Sequence, residues 1–288
     1  MASTLELPYY ATDLPSPLPT EADIDAAPDI TLAYGGRRVV EIGTHYVVKY
    51  GRGVNLIEGE NMLYVGKNTS IPVPRVYALY SNSETRKSYI VMERVAGQTL
   101  LSLWPELSHS KKETVAATLQ SYFNELRQLP SPGYYGSLGK RYLCDDIFRT
   151  IESNPEINGP FTSHETLVEA LALKYTYDGR PIFRADFYRQ CLPRLLHSNG
   201  SIFTHGDFQR KNIMVQRNGD STGDEPGQLQ VVVIDWEKSG WYPCYWEYFY
   251  AVCALRWDDD WCLWLERMLE PYVGESAWFK ALHLELWS

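Results

Sequence analysis

Apolar and polar residues alternate over much of the first third of the chain, which is the pattern of half-buried β-strands. Gly43-Thr44-His45 separates the first two strand-like runs and predicts a hairpin turn between them. Asn55, with Glu58 three residues later, forms a capping-box pattern and predicts a helix that continues through Val65. The strand-like segments are 38–42, 46–50, 76–79 and 88–92. The predicted order is therefore strand, strand, helix, strand, strand.

After Gly97 the apolar residues recur at intervals of three and four, which is typical of helices. Two further capping-box patterns, from Ser110 to Glu113 and from Thr162 to Glu165, predict helix starts. The helical patterns cover 115–126, 183–197, 245–255, 261–269 and 277–286, and short apolar strands are predicted at 212–215 and 231–234. This succession of strands followed by helices predicts an α+β protein.

The changes of pattern divide the chain into three parts. Residues 1–28 are rich in Pro, Ala, Asp and Thr without a sustained period, and predict an irregular N-terminal arm. Residues 29–96 contain the first strands and one helix, and residues 97–288 contain the remaining helices. Within the last part, the Gly- and Asp-rich stretch 218–228 predicts an exposed turn.

Composition narrows the class of protein. The 288 residues are 44% hydrophobic and 22% charged, which suits one large or two modest soluble domains. The net charge of −9 argues against nucleic acid or an anionic membrane surface as the main partner. It favours a cationic or neutral substrate, although an acidic surface that maintains solubility is the more ordinary explanation.

Cysteine usage and the absence of targeting patterns indicate the compartment. The five cysteines form no C-x-x-C pair, which favours free thiols in a reducing environment over disulfides or a zinc site. The N-terminus has no signal-peptide pattern, and no apolar run approaches the ~18 residues of a membrane span. We therefore expect a cytoplasmic protein without a membrane-spanning segment.

One motif concentrates the candidate chemistry: residues 205–212 read H-G-D-F-Q-R-K-N, and Asp235 follows the apolar run 231–234. Phosphoryl transfer to a hydroxyl needs one carboxylate that orients the hydroxyl, and a carboxamide with a second carboxylate that holds Mg²⁺ against nucleotide phosphates. We therefore expect Asp207 to be catalytic and Asn212 and Asp235 to bind Mg²⁺. Each residue alone would be read as capping a turn, but the combination favours catalysis.

Lys49 ends the apolar run 46–48, and a lysine flanked by buried positions needs an anion. We expect this anion to be the α- and β-phosphates of a nucleotide, with a lysine that reaches water as the alternative. A helix carboxylate should steady Lys49, and Glu58 and Glu60 both qualify. Glu58 is preferred, although it also has a capping role available.

Two nearby residues are expected to shape the candidate site. His205 is expected to form structural hydrogen bonds in the loop that carries Asp207 and not to act as an acid or base. Gly240, five residues after Asp235, is expected to let the chain turn sharply.

These residues resemble the aminoglycoside phosphotransferase and choline-kinase-like family, particularly its fungal branch. The residues that carry the resemblance form four stretches: 47–51; 58–65 continuing to 69–74; 90–97; and the region that begins with 203–207 and ends with 234–243. It implies a bilobal protein-kinase-like fold, with a small antiparallel β N-lobe that contains one helix and a larger, mostly helical C-lobe. It also implies transfer of the ATP γ-phosphoryl group to a hydroxyl of a small molecule, with Mg²⁺ as cofactor. Adenine would bind backbone groups of the segment that contains Met92, Glu93 and Val95.

Two alternative functions compete with this one. No G-x-G-x-x-G loop precedes the first strands, and Tyr34-Gly35-Gly36-Arg37 is the nearest candidate for covering phosphates. Because the G-x-G-x-x-G loop is absent, a catalytically silent nucleotide-binding or scaffold protein stays open as an alternative. A protein Ser/Thr kinase is disfavoured, because no long activation segment and no A-P-E-type anchor follow Asp235. The acceptor itself stays open, since an antibiotic, an amino alcohol, a sugar or a specialised metabolite would all fit.

Overall fold

The computed structural model describes residues 5–31, 35–217, 229–255 and 258–287; the turn expected at 218–228 lies outside them. The strands are β1 (Tyr9–Tyr10), β2 (Arg37–Ile42), β3 (Tyr46–Gly51), β4 (Val76–Asn82), β5 (Lys87–Glu93), β6 (Gln98–Thr99), β7 (Ser201–Thr204), β8 (Ile213–Arg217), β9 (Leu229–Val233) and β10 (Gly240–Pro243). The helices are α1 (Glu21–Ala26), α2 (Ile57–Asn68), α3 (Leu100–Leu103), α4 (His109–Gln128), α5 (Pro155–Asn158), α6 (His164–Tyr177), α7 (Ile182–Leu195), α8 (Trp246–Cys253), α9 (Leu265–Met268) and α10 (Val273–Trp287). No helix among these residues is long and apolar enough to cross a membrane.

The chain forms two compact units. The sheet unit contains residues 3–100 together with 213–237, and the helical unit contains 101–212 and 238–288. These bounds differ from the expected division at 29–96 and 97–288. The segment 213–237 joins the sheet unit because β8 pairs with both β6 and β9, so β6, β8 and β9 form one three-stranded sheet.

A five-stranded antiparallel sheet, in the order β1-β4-β5-β3-β2, forms the main part of the sheet unit. The four predicted strands are present, and β2 and β3 form the predicted hairpin. Gly43 lies in the β2–β3 turn with φ of +62°, a backbone conformation that glycine adopts without steric cost. Lys49 lies in β3, opposite Val39 on one side and Ile90 on the other.

The N-terminal residues cover one face of this sheet. Ile24 of α1 is fully buried in a cluster that includes Val48 and Tyr50 of β3. Thr20 and Asp23 form the capping box that starts α1. The stretch 1–28, which was expected to be an irregular arm, therefore contains α1 and also β1, which pairs with β4. A single apolar residue in a short polar segment gives too weak a period to predict this helix.

Helix α2 packs on the opposite face of the sheet. On that face Leu79 of β4 and Lys49 of β3 both lie opposite Ile90 of β5, so the three residues form one cross-strand row. The approach is close, because a Cβ atom added at Gly59 would lie 2.1 Å from Leu79 Cδ2. Glycine at this position lets the helix backbone reach the sheet, so the side chain of the neighbouring Glu58 is brought to the face that carries Lys49.

Two helix starts in the helical unit differ from the prediction. Helix α4 begins at His109, and the hydroxyl of Ser108, not that of Ser110, accepts a hydrogen bond from the Lys111 amide. Helix α6 is capped by Ser163, one residue after Thr162, with Thr166 as the reciprocal partner. Both predictions were wrong because two hydroxyl residues lie close together at each helix start, and either of them can serve as the N-cap.

Strand β10 was not predicted. It pairs antiparallel with β7, and Gly240 lies opposite Thr204. Gly240 was expected at a sharp turn, but it lies in this strand, where an added Cβ atom would be 3.0 Å from the carbonyl oxygen of Gly136. The glycine therefore allows a close approach between the two backbones. The core beside this pair is aromatic and includes Trp246 and Phe249 of α8.

Candidate active site

Lys49 lies at the centre of a charged cluster within the sheet unit. Its Nζ atom is 2.7 Å from Glu58 Oε2, 3.0 Å from Asp235 Oδ1 and 3.0 Å from Glu237 Oε2. The lysine is 9% exposed and Glu58 is 2% exposed, so both charges are held away from bulk water. The structure thus joins three residues selected from the sequence, and adds Glu237, to which no role had been assigned.

Burial and charge compete in this cluster. Burial alone would lower the pKa of Lys49, but the three neighbouring carboxylates outweigh it and hold the pKa above its ordinary value. Burial raises the pKa of Glu58 to about 7, although the Lys49 charge opposes the shift. Burial would also raise the pKa of Glu237, but Lys49 and Arg37 bring it below its usual value. Arg37 Nη1 lies 2.5 Å from Glu237 Oε2.

The start of α2 shows why Glu58 reaches Lys49. The N-cap of α2 is Leu56, which makes no side-chain capping bond, and not Asn55 as the capping-box pattern predicted. Asn55 Oδ1 instead accepts a hydrogen bond of 3.1 Å from the Ile57 amide just before the helix. The Glu58 side chain extends to Lys49 and forms the ion pair there. Glu60, the alternative partner, is also buried, at 9% exposure.

Asp235 has an unusual backbone conformation. Its φ is +65°, in the left-handed region that non-glycine residues seldom adopt and that Asp tolerates better than most. The next residue is fixed on both sides: Asn61 Nδ2 donates to the Trp236 carbonyl oxygen at 2.8 Å, and Trp236 Nε1 donates to the Val233 carbonyl oxygen at 2.8 Å. Such over-determined strain is found preferentially at functional sites.

The carboxylates of this cluster fit a magnesium ion. Glu58, Asp235 and Glu237 each offer one oxygen, and these oxygens lie within 4.8 Å of one another. Carboxylate oxygens are the ligands that Mg²⁺ prefers, and the ion is usually held by one or two of them together with phosphates. The Asp235 side chain is 31% exposed, so it is accessible to an ion.

Asp207 lies in the helical unit, in the loop that follows β7. Its Oδ2 atom accepts a hydrogen bond of 2.8 Å from Asn212 Nδ2, and its Oδ1 atom accepts one from Gln209 Nε2. Asn212 Nδ2 also donates to the Asp207 carbonyl oxygen at 2.9 Å. Lys211 Nζ is 3.7 Å from Asp207 Oδ2. The structure therefore brings Asp207 and Asn212 together and fixes both carboxylate oxygens in orientation.

A buried acid that sequence analysis missed supports this loop. Glu247 of α8 is 5% exposed, and its carboxylate accepts hydrogen bonds from the amides of His205, at 2.7 Å, and Gly206, at 3.3 Å. Burial raises the pKa of Glu247, and the neighbouring His205 partly offsets the shift. In the sequence, Glu247 stands out as the single acid within the aromatic run 245–250.

His205 itself forms structural hydrogen bonds, as expected. Its Nδ1 atom accepts a hydrogen bond of 3.3 Å from the Asp207 amide, and its carbonyl oxygen accepts one of 2.9 Å from Ser239 Oγ. Both bonds hold the residues that lead into Asp207. The side chain that bears the candidate chemistry therefore projects from a loop that is fixed at several points.

The segment expected to bind adenine lies at the end of β5 in the sheet unit. Met92 is buried, and Val95 is partly exposed beyond the end of the strand. The Glu93 amide donates to the Arg75 carbonyl oxygen at 2.8 Å, and Glu93 Oε2 accepts from the Arg75 amide at 3.1 Å. The Glu93 amide is thus engaged within the sheet.

The candidate phosphate-covering segment is described only in part, because Tyr34 lies outside the described residues. Gly35 and Gly36 have φ values of +60° and +73°. They pack closely on two other glycines: an added Cβ at Gly51 would lie 2.0 Å from the Gly36 carbonyl oxygen, and one at Gly53 would lie 2.2 Å from that of Gly35. The turn therefore depends on four glycines that are not arranged as G-x-G-x-x-G.

Residues 38–281 match the model of the phosphotransferase enzyme family APH, and this chain belongs to that family. No curated protein matches it. The predicted family is thereby confirmed, while the fungal branch stays a prediction.

Solved structures of aminoglycoside phosphotransferases share its fold. The GDP and kanamycin complex of APH(2")-IIia has a TM-score of 0.58 and 14% identity, over 90% of this chain and 84% of that one. A thermostable mutant of APH(4)-Ia without ligand has a TM-score of 0.51 and 18% identity, over 92% and 82%. The streptomycin–ATP complex of APH(2")-IIa has a TM-score of 0.51 and 14% identity, over 81% and 75%. The predicted α+β, protein-kinase-like fold is confirmed.

Proposed function

We propose that this protein is a Mg²⁺- and ATP-dependent small-molecule kinase, which transfers the γ-phosphoryl group of ATP to a hydroxyl of its acceptor. The observation that carries the proposal is the contact of the buried Lys49 ammonium with Glu58 and Asp235. Protein kinases likewise pair the phosphate-binding lysine with a helix glutamate and hold Mg²⁺ with a separate aspartate.

Lys49 is the proposed phosphate ligand, and Glu58 fixes its position. Asp235 is the proposed metal ligand of the sheet unit, and Asn212 is the proposed metal ligand of the helical unit. Mg²⁺ would supply charge neutralisation of the nucleotide phosphates. Met92, Glu93 and Val95 remain the proposed adenine contacts, with the Glu93 amide already engaged by Arg75.

Asp207 is the proposed catalytic carboxylate. It would accept a hydrogen bond from the acceptor hydroxyl and take its proton as the hydroxyl oxygen bonds to the γ-phosphorus and the bond to the bridging oxygen of ADP breaks. The hydrogen bonds from Gln209 and Asn212 hold the carboxylate in one orientation, which reduces the entropic cost of aligning the reacting groups.

The structural neighbours support the class of substrate and not its identity. Their complexes contain GDP or ATP, together with the aminoglycosides kanamycin and streptomycin. We propose that this chain likewise takes a nucleotide and a hydroxylated small molecule. The family match gives no support to a protein acceptor or to a purely scaffolding role.

The test is turnover by Asp207→Asn across a panel of hydroxylated acceptors, measured as ADP released. We expect turnover to fall by about 100-fold or more, because a positioned acid–base group contributes about that factor. Nucleotide affinity should be retained. Asp178→Asn is a matched control, since Asp178 is also in the helical unit and forms an ion pair with Lys174. Equal loss of nucleotide binding and turnover in Asp207→Asn would contradict the assigned role.

A further inference from the structure

Arg210 is a buried cation inside the candidate catalytic loop, and the proposed mechanism does not use it. It lies between Asp207 and Asn212, at the start of the short 3₁₀ helix Arg210–Asn212. Its side chain is 6% exposed, so the guanidinium group is turned away from solvent. Burying a charged group is costly unless the group is paired, so the contacts of Arg210 indicate its role.

An aspartate far along the chain compensates this charge. Arg210 Nη1 lies 2.5 Å from Asp259 Oδ2. The other oxygen of the same carboxylate, Oδ1, accepts a hydrogen bond of 2.9 Å from the Trp261 amide, so Asp259 also caps the 3₁₀ helix Asp260–Trp264. Both carboxylate oxygens are therefore engaged, and they hold the guanidinium group at a defined position relative to this second 3₁₀ helix.

Trp261 packs against the loop on both sides of Gln209. The Arg210 guanidinium carbon lies 5.4 Å from the centroid of the Trp261 ring, which is a cation–π contact. The centroid of the Phe208 ring lies 5.9 Å from that of Trp261 and 4.6 Å from that of Phe123 in α4. Trp261 and Phe208 are both buried. The two residues that flank Gln209 are thus packed on one indole ring.

The second 3₁₀ helix is itself anchored within the helical unit. Asp260 accepts hydrogen bonds from Trp104 Nε1 at 2.9 Å and from Lys112 Nζ of α4 at 2.8 Å. The Trp104 and Trp261 rings meet edge to face, with their centroids 4.8 Å apart. Arg210 therefore ties the loop to a fixed element of this unit.

The loop is held at two points along its length. Helix α8 holds the amides that precede Asp207, and Asp259 holds Arg210, which follows it. The 3₁₀ helix that starts at Arg210 ends at Asn212, whose amide donates to the Gln209 carbonyl oxygen at 2.9 Å. The position of Asn212 relative to Asp207 therefore depends on where Arg210 is held.

We propose that Arg210 is a positioning residue for phosphoryl transfer: its ion pair with Asp259 fixes the Asn212 carboxamide relative to the Asp207 carboxylate. This inference rests on the proposed function, because it takes Asp207 as the catalytic group and Asn212 as a metal ligand. Arg210 itself acts on neither the nucleotide nor the acceptor. Catalysis needs both groups in place at once, and a misplacement of about 1 Å can reduce turnover by about 100-fold.

A double variant separates positioning from simple support of the fold. Arg210→Met and Asp259→Asn each leave one charge without its partner, so both are expected to lower stability. Removing both charges together is often neutral, so the stability of the double variant should return towards that of the wild type. If the pair only stabilised the fold, turnover would return as well. If it positions the loop, turnover per folded molecule should stay about tenfold or more below the wild type.

Arg210→Lys tests the geometry without removing the charge. Lysine keeps a cation beside Asp259 but lacks the planar fork and the stacking on Trp261. We expect Arg210→Lys to fold, to turn over about threefold or more slowly, and to need about threefold more Mg²⁺ for half-maximal turnover because Asn212 is displaced.

The experiment combines hydrogen–deuterium exchange with steady-state turnover. Without any ligand, the amides of the segment 206–213 should exchange about tenfold faster in the double variant and in Arg210→Lys than in the wild type. Turnover and its Mg²⁺ dependence are then measured per folded molecule as ADP released. The matched control combines Arg189→Met with Glu169→Gln, which removes an ion pair of 2.9 Å elsewhere in the same unit and should match the wild type in both measurements.

Three results would overturn the positioning role: unchanged exchange of the segment 206–213, recovery of turnover together with stability in the double variant, or wild-type turnover and Mg²⁺ dependence in Arg210→Lys. Exchange needs neither nucleotide nor acceptor, so the first result does not depend on kinase activity. Absence of turnover by the wild type with every acceptor would instead contradict the proposed function, and with it any catalytic role for Arg210. The two failures are therefore distinguishable.

Discussion

At the scale of single residues, the Lys49 cluster is a problem of charge compensation. One buried ammonium group contacts three carboxylates, and a second cation, Arg37, contacts one of the three. Burying charge without compensation is costly, and here the compensation leaves an excess of negative charge. A divalent cation bound with nucleotide phosphates would complete the balance, which is the role proposed for Asp235.

The first prediction concerns the partner of Lys49. In Glu58→Gln the ammonium keeps only Asp235 and Glu237 as charged partners, and these oxygens are the ones offered to the metal. We expect the Kd for Mg²⁺–ATP to rise by about tenfold, which calorimetric titration measures. Glu60→Gln removes the same charge from a residue two positions away and should leave the Kd within about twofold. Equal effects of both variants would contradict the assignment of Glu58.

A site residue was easier to predict from the sequence when its partner lies close to it along the chain. Asp207 and Asn212 are five positions apart and act within one loop, so their spacing alone indicates the chemistry. Glu237 and Glu247 were missed because their partners, Lys49 and the His205 amide, are distant in sequence. Sequence spacing carries no information about such contacts, and only the folded chain reveals them.

At the scale of elements, helix α8 holds the candidate catalytic loop in place through the hydrogen bonds that Glu247 accepts. The carboxylate accepts hydrogen bonds from two consecutive backbone amides, as an acid that caps the start of a helix does. Its burial within an aromatic helix makes these bonds strong and their loss expensive. The position of Asp207 therefore depends on an element that does not itself carry the chemistry.

The second prediction tests this support. Glu247→Gln replaces one acceptor oxygen by an amide group that cannot accept a bond from a backbone amide. We expect the free energy of unfolding to fall by about 1–3 kcal/mol, which denaturant titration measures, and turnover to fall with it. Glu169→Gln is the matched control, since Glu169 is partly exposed and pairs with Arg189 in the same unit.

The sign of the pH dependence follows from the raised pKa of Glu247. A carboxyl group whose pKa is higher in the folded state contributes stability at low pH and loses it as the pH rises through the folded-state pKa. The stability deficit of Glu247→Gln should therefore be larger at about pH 5 than at about pH 8. A deficit that grows with pH would contradict the raised pKa of Glu247.

Elements were predictable where the pattern was regular. Alternation located the strands of the two hairpins to within one to three residues, because one face of each strand is buried and the other is not. Helix starts were displaced at α4 and α6, since neighbouring Ser and Thr residues compete as caps. Strand β10 was missed because its pairing with β7 is non-local and its first residue is a glycine.

At the scale of the whole molecule, the fold class and the family followed from the order of elements and from the motif. The unit boundaries did not follow, because the segment 213–237 lies far along the chain but pairs with β6. As a result, Asp235 folds with Lys49 in the sheet unit, and Asp207 folds in the helical unit. The division expected from the sequence, between residues 96 and 97, placed Asp207 and Asp235 in the same lobe because both residues lie after it.

The measurement that tests the central claim most directly is calorimetric titration of ATP and of GTP, with and without Mg²⁺, on the wild type and on Asp235→Ala. We expect at least one nucleotide to bind the wild type in a Mg²⁺-dependent manner, and Asp235→Ala to lose that dependence together with about tenfold or more of the affinity. Glu84→Gln serves as a control for the loss of an exposed acid in the same unit, and it should leave both the affinity and its Mg²⁺ dependence unchanged. Absence of nucleotide binding, or equal binding by wild type and Asp235→Ala with and without Mg²⁺, would contradict the account.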